Sequence, residues 1–236
     1  MQVEDDTDLT WAAALSGVDE PRCRAIAAEL RDDRSLFEHI AREHRAEGRP
    51  SYVEIDAPEE LYTIARLLRP RHVVEVGVSS GVSSAYLLKA LARNGAGTLH
   101  SIDLPSFPKN RRTGRSYSSW TLPPGRNPGW AIPDDLRDRW DLTLGDKADL
   151  IPYLAERLPR VEMFVYDVPH ECGEAGREFR ALDPKMAEGG VAIVDHGSSR
   201  TLCPGLRAWA RRRASRAVGR EGLGLFGARL GPRVSA

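Results

Sequence analysis

Between Pro21 and Glu47 the apolar positions Ile26, Leu30, Phe37 and Ile40 fall four, seven and three residues apart, and no Gly or Pro intervenes before Gly48 and Pro50. That periodicity predicts one helix over 21–47 with these four side chains on its buried face. A second helix follows, with Asp56 placed to cap it, Pro58 in its first turn, and Leu61, Ile64, Ala65 and Leu68 on one side before Pro70. From His72 the period changes. Short apolar runs over 72–77, 98–103, 140–145, 161–167 and 189–195 alternate with helical segments over 82–93, 147–157, 171–187 and 204–213. Strands apolar on both faces and separated by helices predict a parallel sheet with right-handed crossovers and helices on both sides. The last runs, 215–219 and 222–230, meet at Arg220-Glu221 and read as a hairpin that adds an antiparallel pair to that sheet.

With 236 residues, the chain fits one large α/β unit over 51–236 preceded by an acidic helical extension over 1–50. Hydrophobic residues at 41% and charged residues at 29% exclude a disordered, collagen-like or coiled-coil protein. No apolar run approaches the roughly 20 residues of a spanning helix, and the acidic start MQVEDDTDLT is unlike a signal peptide, so the expectation is cytoplasmic, with no membrane partner. The 34 basic and 34 acidic side chains cancel, which argues against nucleic acid as a partner. The cancellation hides a gradient: residues 1–60 carry 16 acids and 7 bases, whereas 200–236 carry nine Arg and only Glu221. Those ends could attract one another within the fold or in a homo-oligomer. Cys23, Cys172 and Cys203 lack the paired spacing of a zinc site or a disulfide framework and read as reduced thiols.

One segment breaks the rhythm. Residues 104–139 form a connection too long for an ordinary helix–strand loop and rich in Pro, Gly and aromatics. It reads as a lid over cofactor or substrate, with Trp120 and Trp130 supplying contact area and Lys109, Arg111, Arg112, Arg115 and Arg126 facing an acidic group. The alternative is a surface loop packed on its own aromatics.

In an open parallel sheet, ligands sit beyond the carboxyl ends of the strands, so the residues there carry the candidate chemistry. The first strand ends in Glu75-Val-Gly77-Val-Ser79-Ser-Gly81-Val-Ser83, an acid followed by a small-residue turn that opens a helix. Glycines let a ligand approach the backbone, and the helix start offers free N–H groups. Ser79 stands where a G-x-G-x-x-G fingerprint needs its second Gly, which disfavours a pyrophosphate. Glu75 suits an ammonium-bearing ligand by charge. Asp103, closing the second strand, can accept two ribose hydroxyls. Asp146, after the third, either lies near an adenine or caps the following helix.

Taken together, Glu75-x-Gly77-x3-Gly81, Asp103, Gly145-Asp146, Asp167 and the late Gly189-Gly190 resemble a class I S-adenosylmethionine-dependent methyltransferase. Within it, FVYDVPHECGEAGREF and EGGVAIVDHGSS are similar to the small-molecule O-methyltransferase branch of catechol, macrocin and cephamycin-pathway type. The resemblance covers about 50–230 and implies a Rossmann-like, doubly wound, seven-stranded, mostly parallel α/β sheet with an antiparallel C-terminal pair. It implies S-adenosylmethionine as cofactor, a small-molecule hydroxyl as acceptor, and Glu75, Gly77, Ser79, Gly81, Ser83, Asp103, Asp146 and Asp167 as cofactor-binding residues. It further implies Asp167, Asp195 and His196 as ligands of a divalent metal, Mg or Mn, with His196 standing where the branch has Asp or Asn. Asp167, His170 and His196 are the candidate catalytic residues. The alternatives are a metal-independent transfer to oxygen or nitrogen with His170 or His196 as base, or a non-catalytic cofactor-binding partner.

Overall fold

The structure, a computed structural model, describes residues 9–48, 58–104, 122–123, 125–168, 172–195, 202–220 and 224–232. Three helices, α1 (Thr10–Ser16), α2 (Glu20–Asp32) and α3 (Ser35–Ala46), precede α4 (Pro58–Leu68). Strands and helices then alternate: β1 (His72–Val76), α5 (Val82–Asn94), β2 (Thr98–Asp103), β3 (Trp140–Leu144), α6 (Lys147–Arg157), β4 (Val161–Tyr166), α7 (Cys172–Leu182), β5 (Met186–Val194), α8 (Pro204–Arg213), β6 (Ala214–Arg220) and β7 (Leu225–Leu230). The sheet order is β3-β2-β1-β4-β5-β7-β6, with β3 through β5 parallel and β7 antiparallel to both its neighbours. Seven strands, mostly parallel and closed by an antiparallel pair, match the fold expected from the sequence.

Strand residues alternate between two cores, as the two-residue pleat requires. Val73, Leu99, Met163, Val165, Val191 and Ile193 face α1–α5. Val74, Val76, Ile102, Phe164, Ala192 and Val194 face α6–α8. The N-terminal helices belong to the first core. Trp11 and Leu15 of α1 are buried there, the Trp11 indole N–H donates to the Val218 carbonyl (3.2 Å), and Arg229 of β7 donates to the Leu15 carbonyl (2.9 Å).

Two helix expectations are corrected. The helix foreseen over 21–47 is two, because Asp33 leaves the helical region and its carboxylate accepts from the Ser35 N–H (3.2 Å) and hydroxyl (2.6 Å), restarting the chain as α3. The restart turns Phe37 outward, 52% exposed with the Arg34 guanidinium over its ring, while Leu36, Ile40 and His44 take the buried face. The helix foreseen to 187 ends at Leu182. Pro184 cannot continue the hydrogen bonding, and the Asp183 carboxylate is held by Arg213 (2.6 Å) and the Trp209 indole (3.1 Å), so that β5 starts at Met186. Among the described residues no helix is long and apolar enough to cross a membrane.

Candidate functional site

The turn from β1 into α5 lies at the carboxyl edge of the sheet, and each of its residues is held by a different element. Gly77 donates to the Ile102 carbonyl (2.9 Å) at the end of β2. Its φ of +96° favours glycine, and a Cβ there would stand 1.9 Å from the Asp167 carbonyl oxygen. Glycine is therefore demanded by the close approach of the chain leaving β4. Gly81 donates to Val78 (2.8 Å) and opens α5, a helix start with no side-chain cap. Ser79 adopts φ +49°, unusual for a residue with a side chain, and its hydroxyl is buried with no hydrogen-bond partner among the described residues.

Asp103 closes the turn from the adjacent strand. Its Oδ2 accepts the N–H groups of Val78 (2.7 Å) and Ser79 (2.8 Å). Burial pushes its carboxyl up from the ordinary range, and these two N–H donors pull it partly back.

Glu75 is corrected in role. It is not presented to a ligand: it is fully buried, and its carboxylate accepts the hydroxyls of Ser83 (2.7 Å), Ser84 (2.6 Å) and Ser101 (2.7 Å). Burial raises its pKa to about 7, against the pull of the three hydroxyls. With every hydroxyl proton engaged by the carboxylate, the serine oxygens keep only lone pairs to offer elsewhere. Ser83, an expected cofactor contact, is thereby oriented by Glu75. Asp146 also resolves toward the capping alternative, since its Oδ1 accepts the Ala148 N–H (2.9 Å) at the start of α6.

The segment 125–132, within the expected lid over 104–139, lies across this turn. Gly129 donates to the Ser79 carbonyl (2.8 Å) and Ala131 to the Ser80 carbonyl (2.9 Å). Trp130 packs on neighbouring side chains: its ring lies 4.9 Å from that of His44, with the Arg126 guanidinium 5.5 Å from its centroid. Arg126 pairs with Glu47 rather than awaiting an acidic ligand. His44 reaches the turn itself, its Nε2 lying 3.0 Å from the Ser80 hydroxyl. A cavity of about 470 Å³ opens between α3 and this segment, lined by His39, Glu43, Arg126, Trp130, Asp134 and Arg137.

At the other half of the edge, Asp167 donates its N–H to Val76 (2.9 Å) and Asp195 to Tyr166 (3.0 Å). Because Tyr166 pairs with Val194 across β4 and β5, the two aspartates directly follow register partners on adjacent strands. Asp195 is buried. His170 and His196, and half of the 104–139 segment including Trp120, Lys109, Arg111, Arg112 and Arg115, lie outside the described residues.

A glycine turn at the end of β1, closed by a carboxylate from β2, is an arrangement that known proteins can be asked about. The family described as "Methyltransferase domain" matches residues 74–196, more than half of the chain and the whole span from the turn to the end of β5. The chain belongs to this methyltransferase family. It is thus an enzyme. No curated protein matches the methyltransferase by sequence. Similar solved structures include a putative O-methyltransferase from Klebsiella pneumoniae (16% identity, 84% of this chain and 90% of that one, TM-score 0.55). The O-methyltransferase TomG from Streptomyces achromogenes, involved in tomaymycin synthesis and solved with SAM, aligns at 20% identity over 84% and 90% of the two chains (TM-score 0.54). An O-methyltransferase from Bacillus cereus in complex with SAH aligns at 15% over 87% and 97% (TM-score 0.54). These similarities are similarities of fold.

Ser80, Ser84, Ser101 and His44 were not foreseen as parts of the site. Ser101 was findable, since it faces Glu75 in the β1–β2 register. Nothing in the sequence ties His44 to a turn 36 residues away.

Proposed function

We propose that this methyltransferase transfers the methyl group of S-adenosylmethionine to a hydroxyl oxygen of a small molecule, assisted by a divalent metal. The observation that carries the cofactor assignment is the turn itself. Among the described residues the buried Ser79 hydroxyl has no partner, and Asp103 brings a carboxylate to the same edge, beside the start of α5. These groups fit a ligand that has hydroxyls and a charged amino-acid end.

S-adenosylmethionine supplies a methyl group on a sulfonium, open to in-line attack. The protein's own part is to align and to deprotonate. Asp103, with Oδ2 held by Val78 and Ser79, accepts ribose hydroxyls on Oδ1. Ser79 and the first N–H groups of α5 meet the methionine carboxylate, and Ser83, oriented by Glu75, offers an oxygen lone pair to the ammonium. Gly77 keeps the turn close to the end of β4, bringing that ligand beside Asp167.

Support for the metal is chemical. Asp167 and Asp195 directly follow register partners on adjacent strands, and oxygen donors suit a hard divalent ion. Asp167 and Asp195, with His196 as third donor, would hold it, and it would acidify the acceptor hydroxyl.

Calorimetry with S-adenosylhomocysteine tests the cofactor assignment, and a folded protein that does not bind it refutes the assignment. Activity that persists in excess chelator on metal-free enzyme refutes the metal and leaves His170 or His196 as the base.

A further inference from the structure

The polar array around Glu75 does not end at its three serines. The Ser101 hydroxyl, which donates to Glu75, itself accepts the indole N–H of Trp140 (2.9 Å), the first residue of the edge strand β3. The other end of the same indole meets the segment that crosses the turn. A Cβ on Gly129 would stand 2.2 Å from Trp140 Cη2, and φ there is +75°, so the backbone of 129 lies directly against the ring as only glycine allows. Arg137 places its guanidinium 5.3 Å from the Trp140 centroid and donates to the carbonyls of Gly129 (2.8 Å) and Ile132 (2.9 Å). Gly129 in turn donates to Ser79.

We propose that Trp140 is a positioning residue for the cofactor turn, setting it from two sides at once. Through Ser101 it fixes the hydroxyl array that orients Ser83, and through Gly129 it fixes the backbone that holds Ser79. Its effect passes through those two contacts. The inference rests on the cofactor assignment above.

A purely structural tryptophan would affect stability alone, whereas this one acts on a carboxylate that titrates near neutrality. Glu75 faces Ser83 and Ser84 from α5, Ser101 and the charged Asp103 from β2, and Val165 from β4. Its pKa is already raised to about 7. Removing the indole donor makes Ser101 a weaker donor to the carboxylate, so the proton is held to still higher pH.

The test measures S-adenosylhomocysteine affinity against pH for the wild type, Trp140→Phe and Trp209→Phe. Trp209 is an equally aromatic, buried control, bonded through its indole to Asp183 in the opposite core. Trp140→Phe keeps most of the ring against Gly129 and is expected to weaken binding about three- to tenfold, the worth of one hydrogen bond, and to move the pH midpoint of binding upward. Trp209→Phe is expected to lower the melting temperature and leave affinity and midpoint as they were. If Trp140→Phe matches the wild type in both, or Trp209→Phe produces the same changes, the proposal is overturned while the cofactor assignment stands. A wild type that binds no S-adenosylhomocysteine overturns both. Should Trp140→Phe fail to fold, Ser101→Ala cuts the same chain without touching the ring, and a wild-type pH midpoint in that variant overturns the proposal.

Discussion

Two glutamates buried on opposite faces of the sheet, Glu75 and Glu178, are satisfied in opposite ways. Glu178, in the core under α6–α8, accepts from the Lys147 ammonium (2.8 Å) and from the Tyr166 hydroxyl, whose pKa burial and the carboxylate drive far above the ordinary value. Glu75, on the other face, is surrounded by three neutral hydroxyls and, among the described residues, no paired cation. A buried carboxylate paired with an ammonium fastens elements together: here β4, α6 and α7. One held by hydroxyls alone keeps a pKa within reach of neutrality, and that one lies beside the turn proposed to hold the cofactor. The first serves stability. The second is suited to function, since its charge responds to what binds nearby.

Breaking the cationic pair gives the largest expected effect. Lys147→Met leaves Glu178 buried and unpaired, and denaturant unfolding should show a loss of about 3–5 kcal/mol. Because Lys147 stands one residue past Asp146, measured affinity for S-adenosylhomocysteine decides whether the damage reaches the cofactor; the comparison predicts a small change beside the loss of stability.

The pH dependence of stability sharpens the contrast. In the unfolded chain Glu75 loses its proton near 4.5, but in the folded protein it keeps it to about 7. Between those values the folded state binds more protons, so stability falls as pH rises and levels off above 7. The contribution of this group is about 3 kcal/mol, at 1.36 kcal/mol per pKa unit. Stability curves of the wild type and Glu75→Gln should differ by this falling component between pH 4.5 and 7; parallel curves would deny the assignment.

Asp103→Ala tests the closure of the turn from β2. It removes the acceptor of two N–H groups and, on the proposed function, a ribose contact, so calorimetry should find cofactor affinity weakened by about 1.5–3 kcal/mol. The smallest effect is expected from Ser83→Ala. It takes one of three donors from Glu75, costs about 1 kcal/mol in unfolding experiments, and should shift the Glu75 titration upward.

The strands, their order of appearance and the strand-end acids were legible because they depend on local periodicity and on the rule that ligands sit at the carboxyl edge. Gly77, Gly81 and Asp103 were found at the turn for that reason. The role of Glu75 was not legible, since charge complementarity says nothing about which way a strand-end side chain points; the answer lay in Ser101, one strand away. The break at Asp33 was hidden because Asp33 and Ser35 interrupt a helix without Gly or Pro. Trp130 misled for a different reason. A tryptophan in a long loop reads as contact area for a ligand, and here His44 and Arg126 occupy the space beside its ring.

The seating of α1 bears on the order in which the chain can fold. Trp11 and Leu15 find their partners on β6 and β7, more than 200 residues later, with Trp11 bonded to Val218 and Leu15 to Arg229. During synthesis the part of the first helix's apolar face that meets β6 and β7 stays uncovered until those strands have left the ribosome, while α4 can already cover the rest. Such distant pairing slows folding, because closing the long loop takes entropy before any contact repays it. A nascent chain stopped before Leu225 would therefore expose the surface that a finished one hides.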